Sequence, residues 1–164
     1  MITSANWTIT TQRGKMRLKQ QRHLRSCGLA CVAMIADQPY KTVLDDFEEL
    51  KDKAGEPIEW KWSDKRKSWS IDYGTETIDL YNLFKYYGVK SNQRCVTYKG
   101  KLPDMSILTV DSRHERVGGK MEHCWHWVVC LREIEQFRIL DPWKGQRTTL
   151  GNVGKIESYM RIHT

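Results

Sequence analysis

The chain has 164 residues, of which 40% are hydrophobic, and its formal net charge is +7. This length and the seven Trp and seven Tyr residues exclude a disordered chain and predict a single domain over residues 1–164. No segment approaches the ~18 apolar residues of a membrane span, and the first residues do not resemble a signal peptide. We therefore expect a cytoplasmic protein without a membrane span, which a specialised secretion system could export without a cleavable signal.

The first half of the chain predicts two helices after an extended arm over residues 1–20. The first helix begins at Cys27 with Ser26 as its N-cap, and the residues up to 36 are almost wholly apolar. A helix that is apolar on every side belongs in the middle of a domain. The second helix covers 40–53, and its predicted inward face consists of Val43, Leu44, Phe47 and Leu50.

A loop is predicted next, over residues 54–74, and it holds three tryptophans among lysines. A third helix is predicted over 76–87, and Gly88 is a suitable C-cap. Its predicted inward residues are Ile78, Tyr81, Leu83, Phe84 and Tyr87. Strands are predicted near 91–98, 105–111, 125–134, 136–141 and 157–163. Helices followed by strands predict an α+β fold, in which N-terminal helices pack on a C-terminal antiparallel sheet.

Cys27 is the first candidate catalytic residue, because it opens the buried helix and is followed by glycine. The unpaired N–H groups at a helix N-terminus favour a thiolate and can hold an oxyanion. Gln21, six residues earlier, could supply a second oxyanion donor. The alternative is an inert buried thiol. The chain has five cysteines at irregular spacing, which predicts reduced thiols rather than a disulfide framework.

His126 and Asp141 are the second and third candidates. His126 is predicted at the start of one strand and Asp141 at the end of the next. Antiparallel pairing would bring these two ends side by side, so that the carboxylate could orient the imidazole and leave its other nitrogen for the thiol proton. Taken alone, His126 could be a core or surface residue and Asp141 a turn residue before proline.

Four segments resemble the bacteriocin-leader, or double-glycine, peptidases of the papain-like superfamily. Residues 21–34 (QRHLRSCGLACVAM) resemble the motif in which a glutamine precedes, by six residues, a Cys-Gly pair that opens an apolar helix. Residues 126–129 (HWVV) and 139–142 (ILDP) are similar to the family's histidine and aspartate motifs, and the helix over 77–87 is similar to the one before its sheet. The resemblance covers roughly residues 18–164.

The resemblance implies a papain-like fold, thiol catalysis and no cofactor. It implies Cys27 as nucleophile, His126 as base and Asp141 as the orienting residue, with Gln21 and the Cys27 backbone in the oxyanion hole. We therefore expect a bacterial cysteine peptidase that cleaves a peptide or amide bond of a peptide or protein substrate. The tryptophans beside these residues are predicted to contact that substrate, namely Trp125, Trp127 and Trp143.

Other functions stay open at this stage. The same site would serve a toxin or effector acting as a glutamine deamidase or peptidoglycan amidase, whose partners would include a secretion partner or an immunity protein. A papain-like binding module that has lost its chemistry is a second alternative. The stretch over residues 60–69, with Trp60, Trp62 and Trp69, could form a groove wall, stack on nucleic-acid bases or simply anchor a loop.

A metal site and a nucleic-acid site are both less well supported by the sequence. His123, Cys124 and His126 lie close together, and Cys27 and Cys31 are one helical turn apart, but the spacing matches no strong zinc pattern. We therefore expect no metal. The positive charge is spread along the chain rather than gathered in one tract, so we do not expect nucleic-acid binding.

Overall fold

The α-helices precede the main sheet in the chain, as the order of sequence patterns predicts. A computed structural model describes residues 8–11, 14–23, 25–71, 74–117, 120–143 and 146–163. The helices in these ranges are α1 (Cys27–Ile35), α2 (Tyr40–Lys53) and α3 (Thr77–Tyr86). Helices and antiparallel sheets together confirm the predicted α+β class. None of the helices described is long and apolar enough to cross a membrane.

The main sheet has six antiparallel strands in the order β5-β10-β6-β7-β8-β9, and two separate hairpins are formed by β1 with β2 and by β3 with β4. The strands are β1 (Thr8–Thr11), β2 (Gly14–Arg17), β3 (Trp60–Ser63), β4 (Ser68–Ile71), β5 (Val96–Thr97), β6 (Met105–Val117), β7 (Lys120–Arg132), β8 (Phe137–Asp141), β9 (Gln146–Thr149) and β10 (Ile156–Arg161).

Helix α1 lies at the centre of the larger hydrophobic core. Every residue from Cys27 to Met34 is buried, which fits a helix that is apolar on all sides. It packs against α2, α3 and strand β7. Successive side chains along each strand point to opposite faces of the sheet. Ile107, Val129 and Leu140 face the helices, and a smaller cluster of Leu108, Val110, Val128, Cys130 and Ile139 lies on the other side.

The structure corrects the predicted loop over residues 54–74. Strands β3 and β4 lie inside it and pair through a turn at 64–67, with Trp62 opposite Trp69. Lys67 closes this turn in the left-handed region, with φ of 47°. We call residues 60–71 the tryptophan hairpin. The alternation of tryptophan with polar residues in this segment is a period-two pattern, which is the signal of a strand that the sequence prediction missed.

Further details of the prediction were wrong. Strand β7 begins at Lys120 rather than 125, so His126 lies inside a strand and not at its start. Strand β9 was not predicted. In α3, Ile78 is 44% exposed, because the buried face is set by Leu80, Leu83 and Phe84. Ile78 precedes Leu80 by two residues and therefore points to a different side of the helix.

Candidate active site

Cys27 is the first residue of α1, so its side chain lies at the helix N-terminus, where backbone N–H groups have no partner within the helix. The side chain is 6% exposed. Ser26 occupies the N-cap position, but its hydroxyl does not cap the helix. It donates instead to the carbonyl oxygen of His23 at 2.6 Å. The backbone amides at the start of α1 therefore keep the donor capacity that an oxyanion hole needs.

Close packing around Gly28 explains why a residue without a side chain follows Cys27. A Cβ atom at this position would lie 2.1 Å from Oγ1 of Thr75 and 2.9 Å from Cδ2 of Leu80. The first turn of α1 thus packs directly on the segment that leads into α3. Thr75 in turn accepts a hydrogen bond on its carbonyl oxygen from Nε1 of Trp127, at 3.1 Å. This contact ties the start of α1 to β7, next to His126.

His126 and Asp141 form a hydrogen bond in which Nε2–H donates to Oδ1 over 2.7 Å. The pairing of β7 with β8 accounts for this contact. Val129 lies opposite Leu140, so His126 and Asp141 both lie beyond this pair at the same end of the two strands. The same Oδ1 also accepts the backbone N–H of Trp143 at 2.9 Å. This second bond fixes the carboxylate that faces the imidazole.

Cys27 and Asp141 both act on the charge of His126. Burial by itself would lower the pKa of His126, but the hydrogen bonds and negative charges of Asp141 and Cys27 raise it to about 9. His126 is therefore an imidazolium at neutral pH. Because Nε2 is bonded to Asp141, Nδ1 is the nitrogen left to interact with the sulfur. The imidazole thus connects the thiol with the carboxylate, in the arrangement that nucleophilic thiol chemistry requires.

Gln21 is anchored beside the turn that follows Asp141. Its backbone N–H donates to the carbonyl oxygen of Pro142 at 3.0 Å, and its side-chain Nε2 donates to the carbonyl oxygen of His23 at 3.0 Å. The side chain is 9% exposed, and its Oε1 has no hydrogen-bond partner among the described residues. An amide nitrogen carries two hydrogens, so one N–H is left for the oxyanion role. That role stays a prediction.

The tryptophans predicted to bind substrate lie in different surroundings. Trp127 is 1% exposed and packs in the core, which does not favour a contact with substrate. Trp125 is half-buried and meets Trp127 edge-on, with ring centroids 6.1 Å apart. Trp143 is 41% exposed and lies next to the Asp141 turn. Of the three, Trp143 has the position and exposure best suited to contact a substrate.

A hydrogen-bond network before Cys27 was not predicted from the sequence. The hydroxyl of Tyr40 donates to Oγ of Ser26 at 2.8 Å and is bonded to Nδ1 of His23 at 3.0 Å. Ser26 is fully buried and Tyr40 is 6% exposed. The network attaches the segment before Cys27 to the first turn of α2. A buried serine directly before a candidate nucleophile was the available signal, and its partner Tyr40 could be found only in the folded chain.

The tryptophan hairpin makes contacts near both Cys27 and Asp141. Nε1 of Trp60 donates to Oε1 of Glu48 on α2 at 2.8 Å, and the Trp60 ring meets His23 edge-on. At the other end, the guanidinium of Arg66 lies 5.5 Å from the ring centroid of Trp143. This distance is within the range of a cation–π interaction. The hairpin therefore extends from the segment before Cys27 to the turn after Asp141.

Three other cysteines, Cys31, Cys95 and Cys130, lie where burial disfavours the thiolate. Burial raises the pKa of Cys31 and Cys130, with further raising of Cys31 by the charges of Cys27 and Asp141. Burial also raises the pKa of Cys95. Within the ranges that the structure describes, no group of three or more His, Cys, Asp or Glu side chains is suited to hold a metal ion. The side chain of His123 lies outside the described residues.

The chain was compared with protein-family models, with curated proteins and with solved structures, and none of the three comparisons found a match.

Proposed function

We propose that this protein is a papain-like cysteine peptidase or amidase, with Cys27 as nucleophile, His126 as general base and acid, and Asp141 as the orienting residue. The observation that carries the proposal is the position of the His126 imidazole, which interacts with the Cys27 sulfur and is hydrogen-bonded to Asp141. Further support comes from the location of Cys27 at the start of a buried helix and from the resemblance of its flanking sequence to the bacteriocin-leader peptidases.

The proposed reaction begins from the thiolate–imidazolium pair. The sulfur of Cys27 attacks the carbonyl carbon of an amide, a C–S bond forms, and the carbonyl π electrons move to oxygen. The backbone N–H of Cys27 and the side-chain amide of Gln21 stabilise this oxyanion. Loss of one such donor typically lowers the rate by about 10²–10³-fold.

Collapse of the tetrahedral intermediate breaks the C–N bond. Protonated His126 gives its proton to the leaving nitrogen, which departs as an amine, and a thioester remains on Cys27. Neutral His126 then accepts a proton from water as the water oxygen attacks the thioester carbonyl. The carboxylic acid is released, and the thiolate and imidazolium are restored. Asp141 holds the imidazole orientation throughout, through the bond to Nε2.

Thiol labelling tests the proposal without knowledge of the substrate. Iodoacetamide near neutral pH should alkylate Cys27 before Cys95 and Cys124, although Cys27 is the more buried thiol and the other two are half-buried. An activated thiolate is the physical reason, because the thiolate is the reactive form. Peptide mapping by mass spectrometry gives the rate at each cysteine. His126→Gln should remove the preference for Cys27.

Equal and slow labelling of the thiols would contradict the proposal and favour a binding module. Turnover is tested by adding the protein and its Cys27→Ala variant to a bacterial lysate. New peptide termini that require Cys27 would identify a peptidase. Mass gains of about one dalton at glutamine would identify a deamidase, which uses the same thioester chemistry.

A further inference from the structure

A cavity of about 600 Å³ lies between the segment before Cys27, helix α2 and the tryptophan hairpin. This volume is in the range of ligand pockets, about 300–1,000 Å³. Most of its wall is aromatic or aliphatic, and the residues concerned are His23, Tyr40, Leu44, Trp60 and Trp69. The tryptophan hairpin supplies two of them, Trp60 and Trp69, and so helps to form the cavity.

Three of these rings each have a polar atom bonded within the protein. Nδ1 of His23 and the hydroxyl of Tyr40 bond each other, and Nε1 of Trp60 donates to Glu48. The His23 ring lies edge-on to Trp60 with centroids 5.0 Å apart, and it stacks on Tyr40 at 5.9 Å. What the rings can offer a ligand is therefore mainly apolar surface and π faces. Such a site favours another aromatic ring, in stacked or edge-on geometry.

The same residues connect the cavity to the candidate nucleophile. Tyr40 lines the cavity and donates a hydrogen bond to Ser26, the residue directly before Cys27. Burial raises the pKa of Tyr40, and the charge of Cys27 contributes to that rise, so the two side chains lie within electrostatic reach of each other. A chain bound at Cys27 would therefore have this cavity beside it.

Basic residues outnumber acidic ones near the cavity, where Glu48 bonds Trp60 of the wall and its charge also reaches His23. Arg22 and Lys41 contribute to its wall, although Lys41 is paired with Asp45. The tryptophan hairpin, residues 60–71, carries four basic residues and one acidic residue, which are Lys61, Lys65, Arg66, Lys67 and Asp64. Attraction between opposite charges favours acidic residues in a ligand that approaches this surface, and repulsion disfavours basic ones.

We propose that this cavity is a specificity pocket, which binds an aromatic side chain from an acidic segment of the peptide substrate. The inference rests on the proposed function and adds a substrate class to it. Trp69 forms one side of the pocket, and Trp62 lies opposite it on the neighbouring strand but outside the pocket lining. The two are 50% and 49% exposed and contact each other edge-on. Replacing either with alanine removes that mutual contact, so Trp62→Ala is a matched control for Trp69→Ala.

The test uses acetylated tripeptidyl chloromethyl ketones. In these probes the Cys27 thiolate attacks the methylene carbon, a C–S bond forms and chloride leaves. One series carries Phe at the first, second or third position from the reactive group, with Asp at the other two positions. A second series replaces Phe with Ala, and a third replaces Asp with Lys. The rate of Cys27 alkylation is measured by mass spectrometry, and iodoacetamide serves as a probe too small to need the pocket.

We expect at least one Phe-Asp probe to react faster than its Ala and Lys counterparts. Trp69→Ala should slow that probe by about 3- to 10-fold, the size of one aromatic contact, and Trp62→Ala by less than about 2-fold. The iodoacetamide rate should be the same in both variants. If no position prefers Phe, or if the two variants slow the probe equally, the pocket assignment is wrong.

Failure of the proposed function would look different, because iodoacetamide would then not prefer Cys27. The pocket is tested in that case by titrating Cys27→Ala with acetyl-Asp-Phe-amide and following tryptophan fluorescence. A saturable change that is lost in Trp69→Ala and kept in Trp62→Ala would support the pocket alone. No saturable change would refute it.

Discussion

Asp141→Asn should weaken the electrostatic coupling at the candidate active site without removing side-chain volume. In the folded protein Oδ1 of Asp141 accepts hydrogen bonds from His126 and from the Trp143 backbone, and the carboxylate charge helps to raise the pKa of His126 to about 9. Asparagine keeps one acceptor oxygen but loses the charge. A rise from the ordinary 6.5 to about 9 corresponds to about 3 kcal/mol in favour of the imidazolium.

The sign of the pH effect follows from this raised pKa. Folded His126 binds its proton more tightly than unfolded His126 does, so the stabilisation is complete below about pH 6.5 and is lost as the pH rises through about 9. The free energy of unfolding should therefore fall by up to about 3 kcal/mol over this window. Asp141 and Cys27 share the effect, so Asp141→Asn should remove roughly half of that fall.

Urea unfolding under reducing conditions, at several pH values between about 6 and 10, measures the predicted fall. Proton NMR titration of histidine measures the pKa of His126 directly. Asp104→Asn is a suitable control, because it breaks an exposed ion pair with Arg132 at the surface. It should leave both quantities unchanged. If Asp141→Asn also leaves the pKa of His126 and the slope of stability against pH unchanged, the carboxylate does not act on the imidazole and the reasoning fails.

Two further predictions concern packing and a second histidine. Gly28→Ala should lower the free energy of unfolding by about 1–3 kcal/mol in urea titrations, because the new methyl would collide with Thr75. Gly151→Ala is its control and should lower the free energy of unfolding far less, since the space around Gly151 is open. Burial and the charge of Arg22 lower the pKa of His23, so stability should fall as the pH drops below 6.5. His23→Gln should reduce this loss of stability at acidic pH. An unchanged loss would mean that His23 is not held neutral in the folded protein.

The sequence alone determined the helices well, because helix signals act between residues a few positions apart. The predicted second helix at 40–53 coincides with α2 (Tyr40–Lys53), and the wholly apolar segment after Cys27 is the buried α1. Strands were placed less accurately, since their ends depend on a partner. Strand β7 extends back to Lys120 because β6 pairs with it there, and β3 and β4 exist because they pair with each other.

For the candidate site, the sequence supplied the residue types and their order, and the contact between His126 and Asp141 could be anticipated from two neighbouring strands. Whether α1 would bring the Cys27 sulfur to that imidazole was decided by tertiary packing. Gly28 lets the helix start approach Thr75, and Thr75 is bonded to Trp127 beside His126. The cavity under the tryptophan hairpin likewise joins residues from three separate segments. Such contacts depend on how segments far apart in the sequence pack together, and local sequence patterns do not determine that packing.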